Sequence, residues 1–147
     1  MYQKILIATD GSTLSNKAVG NGLALANSLG ADLVVLKVVR RYTSSYFEGG
    51  YVMPLDDAEK IERQWADEAQ ITVDAVKRMA ERKGLKAKAL VVRSNFVADA
   101  IIATASKHKC HLIVMSSHGR RGIKGILLGS ETQHVLTHSK IPVLVLR

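Results

Sequence analysis

The chain of 147 residues has one cysteine, two prolines and few aromatic side chains, 5% of the total. A lone thiol, Cys110, excludes an internal disulfide framework and points to a reducing compartment. It follows Lys107, His108 and Lys109, which leaves two readings open: a thiolate activated by basic neighbours, or a buried, inert thiol ahead of a strand. No apolar run reaches the roughly 18 residues that span a bilayer. The opening Met1-Tyr2-Gln3-Lys4 enters a strand pattern at once and lacks the layout of a signal peptide. Acidic residues are few, 13 against 21 Lys and Arg, for a formal net charge of +8. That excess favours anionic partners. The basic residues are spread along the chain, however, and no aromatic platform is interleaved with them, so a nucleic-acid partner is not expected. Together these absences describe a cytoplasmic chain that forms one domain over residues 1–147, without a membrane partner.

What is present is a regular alternation of patterns. Strand-like segments run over 4–8, 32–39, 86–92, 112–115 and 142–146, most of them rich in β-branched residues. The segment Asp32–Val39 is almost continuously apolar, as suits a strand covered on both faces. Ser12 as N-cap and Gly30 as stop delimit a first helix. From Asp56 to Lys83 a long amphipathic stretch places Ile61, Trp65, Ala69, Val73, Val76 and Ala80 three and four residues apart, with Trp65 and Met79 expected in the core. Ser94 or Asn95 caps a third helix through Ala98, Ile101, Ile102 and Ala105, and a fourth runs from about Ser130 to Thr137. Strands alternating with helices imply an α/β fold, a doubly wound five-stranded parallel sheet with helices on both faces. The stretch Arg40 to Leu55, with Tyr42, Tyr46, Phe47 and Tyr51 around Gly49-Gly50, reads equally as a flap or as a plain irregular connection.

The most informative stretch is Met115-Ser116-Ser117-His118-Gly119, separated by nine residues from Gly129-Ser130. A strand runs into a small-residue turn, then a basic loop with Arg120, Arg121 and Lys124, then a helix start at Ser130-Glu131-Thr132. Helix N-termini leave backbone N–H groups unpartnered and carry partial positive charge. Glycines let the main chain approach a ligand closely, so loop and helix end form a cradle for phosphate. The same residues also describe a long glycine-rich connection with no ligand. In open parallel sheets ligands bind beyond the carboxyl ends of strands, where strand order reverses. Thr9-Asp10-Gly11-Ser12, after the first strand, lies at such an end. Asp10 there is either a ligand acceptor or a helix-start residue beside Ser12.

Other chemistries find little support. No Gly-x4-Gly-Lys-Ser/Thr loop is present, and Gly-x-Gly-x-x-Gly does not follow the first strand. No Gly-x-Ser-x-Gly elbow supports a hydrolase. His134 and His138, four apart on a helix, read as a metal pair without an evident third ligand or, more commonly, as surface histidines.

These two loops, in a chain of this length, resemble the universal stress protein family. The resemblance extends from Ile5-Leu6-Ile7-Ala8-Thr9-Asp10-Gly11-Ser12 to Pro142-Val143-Leu144-Val145-Leu146. Its nucleotide-binding members carry Gly-x2-Gly-x9-Gly-Ser/Thr, matched here by Ser116-x2-Gly119-x9-Gly129-Ser130. The first glycine is Ser116; a positive φ there would strain serine, whereas a negative φ would fit it and direct its hydroxyl to a ribose. Ser94 and Phe96 stand where relatives usually have Gly and Pro, and His111 where Asp is common. The resemblance implies ATP with Mg²⁺ as ligand. Thr9, Asp10 and the Val38 backbone would hold adenine, and Met115 and Ser116 would lie by the ribose. The amides of Gly119, Gly129, Ser130, Glu131 and Thr132, with the Ser130 hydroxyl, would bind phosphates, and Mg²⁺ would ride with the triphosphate. It also implies a homodimer through the C-terminal strand. The expected function is that of a cytoplasmic, nucleotide-responsive stress module with an unidentified protein partner. No catalytic residue is assigned, and turnover is limited to slow ATP hydrolysis or autophosphorylation. The alternatives are an interaction protein of the same fold that binds no nucleotide, and a basic nucleic-acid binder.

Overall fold

The computed structural model describes residues 1–42, 54–118 and 128–147. Its elements are β1 (Lys4–Ala8), α1 (Thr13–Leu29), β2 (Asp32–Val39), α2 (Leu55–Arg82), β3 (Ala87–Arg93), α3 (Val97–Lys107), β4 (Leu112–Ser116), α4 (Ser130–His138) and β5 (Val143–Leu146). All strand pairs are parallel, in the order β3-β2-β1-β4-β5. The sheet is therefore doubly wound, and its order reverses between β1 and β4.

Side chains alternate across the sheet with the period of two that a strand imposes. Ile5, Ile7, Leu33, Val35, Leu112 and Val114 face α1 and α2, where they meet Val19, Leu23, Val73 and Val76. Leu6, Val34, Leu36, Ile113 and Met115 face α3 and α4, against Ala98, Ile101, Ala105 and Val135. The near-continuous apolar run of β2 is thus explained, since both faces are covered by helices.

Local signals set most element ends. The Ser12 hydroxyl accepts from the Ser15 amide at 3.2 Å, and Gly30 closes α1 with φ of 63°, a left-handed conformation that costs a residue with Cβ about 1 kcal/mol or more. The third helix departs from expectation. Its N-cap is Phe96, with no side-chain cap bond. Ser94 accepts from the Phe96 amide at 3.0 Å, and Asn95 accepts from the Arg41 amide at 2.9 Å. Neither polar side chain reaches the α3 amides, because Ser94 is used by the turn before the helix and Asn95 by the chain that leaves β2. The α4 N-cap is Gly129, so Ser130 is the first helical residue and not the cap.

Trp65 and Met79 lie outside the core, at 37% and 42% exposure. The buried stripe of α2 is Ala58, Ala69, Val73, Val76 and Ala80, and Trp65 instead meets the Tyr42 ring at a centroid distance of 6.2 Å. Cys110 is buried. Loss of solvation raises its thiol pKa from 9.0 to about 11, against a smaller opposing effect of Lys4. The inert reading of this thiol holds, since its nucleophilic form is scarce near neutral pH.

Candidate functional site

The reversal between β1 and β4 sends the β1 chain to one face and the β4 chain to the other, and a cleft opens where they part. Its volume is about 130 Å³, against roughly 10–15 Å³ for a single water on the same kind of measure. It is therefore large enough for a ligand. Ala8, Leu36, Val38, Val97, Ile101 and Met115 form apolar walls, and Thr9, Asp10, Ser116, His118, Glu131 and Thr132 supply the polar lining.

The β1 side is a tightly bonded turn. The Thr9 and Ser15 hydroxyls share a hydrogen bond of 2.5 Å, and Thr9 Oγ1 accepts from the Gly11 amide at 3.2 Å. Asp10 Oδ1 accepts from the Ser12 amide at 2.9 Å. Asp10 thus fills its helix-start role while also lining the cleft, so its two readings are not exclusive.

Val38 presents backbone. The Leu36 carbonyl accepts from the Thr9 amide at 2.9 Å, so the polar groups of Leu36 point toward β1. Main-chain groups of alternate strand residues point the same way. Those of Val38 do too, beyond the last β1–β2 pair, Ala8 with Leu36. One donor and one acceptor are thereby offered at the cleft edge.

The β4 side is latched to α4. The Thr132 hydroxyl donates to the Ser116 carbonyl at 3.0 Å, and the Ser117 amide donates to the Leu146 carbonyl of β5 at 2.7 Å. Ser116 is the last residue of β4, and Lys109 is the one non-glycine residue with positive φ among the described residues. Serine is therefore unstrained at position 116. Its hydroxyl donates to the His118 carbonyl at 3.0 Å, which ties it to the turn.

Gly129 has φ of −69°, so its backbone does not require glycine. Space does. A Cβ there would lie 3.3 Å from Cα and Cβ of His118 and 3.5 Å from the Ser117 carbonyl oxygen. The Gly129 amide, expected to face phosphate, donates instead to the Ser117 carbonyl at 2.7 Å. Ser130, Glu131 and Thr132 supply the first-turn amides that have no intrahelical acceptor. Of the expected site residues, Thr9, Asp10, Val38, Met115, Ser116, Glu131 and Thr132 line the cleft, whereas Gly129 and Ser130 flank it. Gly119, Arg120, Arg121 and Lys124 lie outside the described residues.

Several participants escaped the sequence reading. Leu36 shares a strand face with Val38, and Val97 and Ile101 lie four apart on α3, so the 2.0 and 3.6 periods mark them in retrospect. No local pattern marks the Glu131 side chain. Its Oε2 accepts from the Ala98 amide at 3.0 Å, and its Oε1 lies 3.6 Å from the Arg40 guanidinium. It supplies to α3 the cap that Phe96 cannot, across 33 residues of sequence.

Among the described residues no buried side-chain nitrogen or oxygen lacks a hydrogen-bond partner. The cleft thus offers main-chain groups at Val38 and at the start of α4 beside polar side chains that are already bonded within the protein. His134 and His138 stack at 4.2 Å, and Nε2 of His134 lies 2.8 Å from Asp99. No cluster of three or more metal-ligating side chains occurs among the described residues.

Fold and cleft together define a doubly wound α/β domain with a ligand-sized site at its switch point. The chain belongs to the universal stress protein family, whose profile matches residues 1–147. It is 34% identical to universal stress protein MJ0531 of Methanocaldococcus jannaschii, over 100% of this chain and 83% of the relative. The solved structure of MJ0577 of the same organism superposes with a TM-score of 0.84 at 28% identity, over 99% of this chain and 96% of that one. A universal stress protein solved in complex with cAMP matches with a TM-score of 0.69 at 25% identity, over 99% and 97% of the two chains.

Proposed function

We propose that this chain is an adenine-nucleotide-binding stress-response module, with the cleft between β1 and β4 as its site. The observation that carries the reading is the polarity of that cleft. Apolar walls suited to a flat base lead from the Val38 backbone edge to the N-terminus of α4. A backbone donor beside a backbone acceptor matches the edge of adenine, and unpartnered amides with a positive dipole end match phosphate. The relative in complex with cAMP supports the same ligand class.

ATP with Mg²⁺ is the ligand we assign. The metal would be held by phosphate oxygens and water, consistent with the preference of Mg²⁺ for both. Bound Mg²⁺ offsets phosphate charge. The Val38 backbone, Thr9 and Asp10 hold the base; Met115 and Ser116 border the ribose; the amides of Ser130, Glu131 and Thr132 take the phosphates. Binding orders the cleft walls and changes a surface read by a protein partner. The module works in the cytoplasm as a homodimer paired through β5, and turnover is at most slow.

Calorimetric titration of nucleotide-stripped protein with Mg-ATP tests the reading. Micromolar or tighter binding is expected, and Gly129→Leu should abolish it, because the new side chain has no room against His118. Absence of heat and of a thermal shift at millimolar ATP would overturn it. That result would favour an interaction module of the same fold, a reading supported by the replacement of the first motif glycine with Ser116.

A further inference from the structure

Of the two acidic side chains that line the cleft, Asp10 and Glu131, the one on α4 is out of place for a site that takes anions. Glu131 is the second residue of α4 and lines the cleft with His118 and Thr132. Its carboxylate therefore stands beside the same helix start whose amides would meet phosphate. A carboxylate in a first helical turn is favourable by itself, since it complements the dipole. Here it also competes with a ligand phosphate for that positive end.

Two contacts hold it there. The Ala98 amide at the start of α3 donates to Oε2 at 3.0 Å. The Arg40 guanidinium, just beyond β2, lies 3.6 Å from Oε1. The pair spans the carboxyl edge of the sheet from the end of β2 to the start of α4. Both side chains are about half exposed, 52% for Arg40 and 43% for Glu131, so the pair contributes little to stability. Its effect is to fix where the charges are. The Ala98 contact anchors the negative charge at the start of α3, next to the first turn of α4 that carries Glu131. Arg40, held by one longer contact and more exposed, is the movable partner.

We propose that Glu131 is a charge-selectivity residue that discriminates against highly charged polyphosphates, with Arg40 as the counter-charge that sets how strongly. The inference rests on the nucleotide reading of the cleft and adds to it a preference for ligands with few phosphate charges, or with charge offset by Mg²⁺. An incoming phosphate draws Arg40 from Glu131. The cost of leaving the carboxylate uncompensated rises with each further negative charge nearby.

The test is titration of the whole chain with adenosine, AMP and ATP in Mg²⁺-free buffer at low salt, with Glu131→Gln and Arg40→Gln alongside. Glutamine keeps an oxygen acceptor for the Ala98 amide and removes only the charge. For Glu131→Gln we expect ATP affinity to rise by about tenfold, AMP by about threefold and adenosine least, with the gains shrinking at high salt. Arg40→Gln should move the series the opposite way, weakening ATP most. A loss of packing alone would shift all three ligands together. If the wild type binds nucleotides but the ATP-to-AMP affinity ratio is the same in all three proteins, the selectivity inference fails and the nucleotide reading stands. If no protein binds any of the three ligands, the nucleotide reading fails and the inference falls with it.

Discussion

Replacing Glu131 with alanine removes the cap that α3 receives from another helix. The lost contact is the 3.0 Å bond from the Ala98 amide to the carboxylate, and Phe96 has no side-chain cap bond to replace it. Loss of a helix cap costs about 1 kcal/mol, within a range of roughly 0.5–2. Removing a carboxylate from a helix N-terminus costs about 0.3–1 kcal/mol more. The exposed pair with Arg40 adds a few tenths at most. The sum is roughly 1–2 kcal/mol. Unfolding entropy is about 2.1 cal/mol/K per residue, so a chain of 147 residues should lose about 3–6 °C in Tm. Differential scanning calorimetry of ligand-free protein reads this directly. Glu131→Gln separates the acceptor from the charge and should lose less than half as much. A Tm within 1 °C of wild type for Glu131→Ala would refute the capping role. Equal losses for alanine and glutamine would assign the effect to charge and not to the bond.

Ser116→Gly, which restores the first glycine of the family motif, should lower stability by about 1 kcal/mol, because it removes the bond to the His118 carbonyl and frees the unfolded chain. Denaturant unfolding checks this; a stabilised glycine variant would mean that serine is strained there. Cys110 should resist iodoacetamide at pH 7.5 in the native protein and react on unfolding, and rapid native labelling would contradict its burial. Its pKa is raised in the folded state, from 9.0 to about 11, so the folded chain keeps its proton where the unfolded chain loses it. The resulting stability is complete below pH 9 and lost as pH rises toward 11. Cys110→Ser should flatten that part of the stability profile.

The alternation of strand and helix patterns was sufficient for the architecture, because each period reports which side of an element meets the core. Ser12 and Gly30 marked the ends of α1 because their chemistry is local: one side-chain bond, one left-handed residue. The family's loop pattern was legible for the same reason, as glycine and hydroxyl positions at fixed separation. Failures came where a local signal was used by something else. Ser94 and Asn95 are good caps by type, yet the turn before α3 takes one side chain and the Arg41 amide takes the other. Trp65 keeps helical spacing with buried residues, but its ring meets Tyr42 and stays 37% exposed.

By itself, then, the sequence determined the fold class, the family and the place of the cleft, because these follow from periodicity and from small residues at fixed spacing after a strand. Tertiary structure alone decided what the cleft presents. Val38 offers main chain because β1 ends at Ala8. A side chain at Gly129 would crowd His118, and the Gly129 amide is turned to Ser117. Glu131 meets Ala98 and Arg40 only because three separate elements end at one edge of the sheet. Such contacts join residues far apart in the chain, and their distances exist only once the sheet has brought them together.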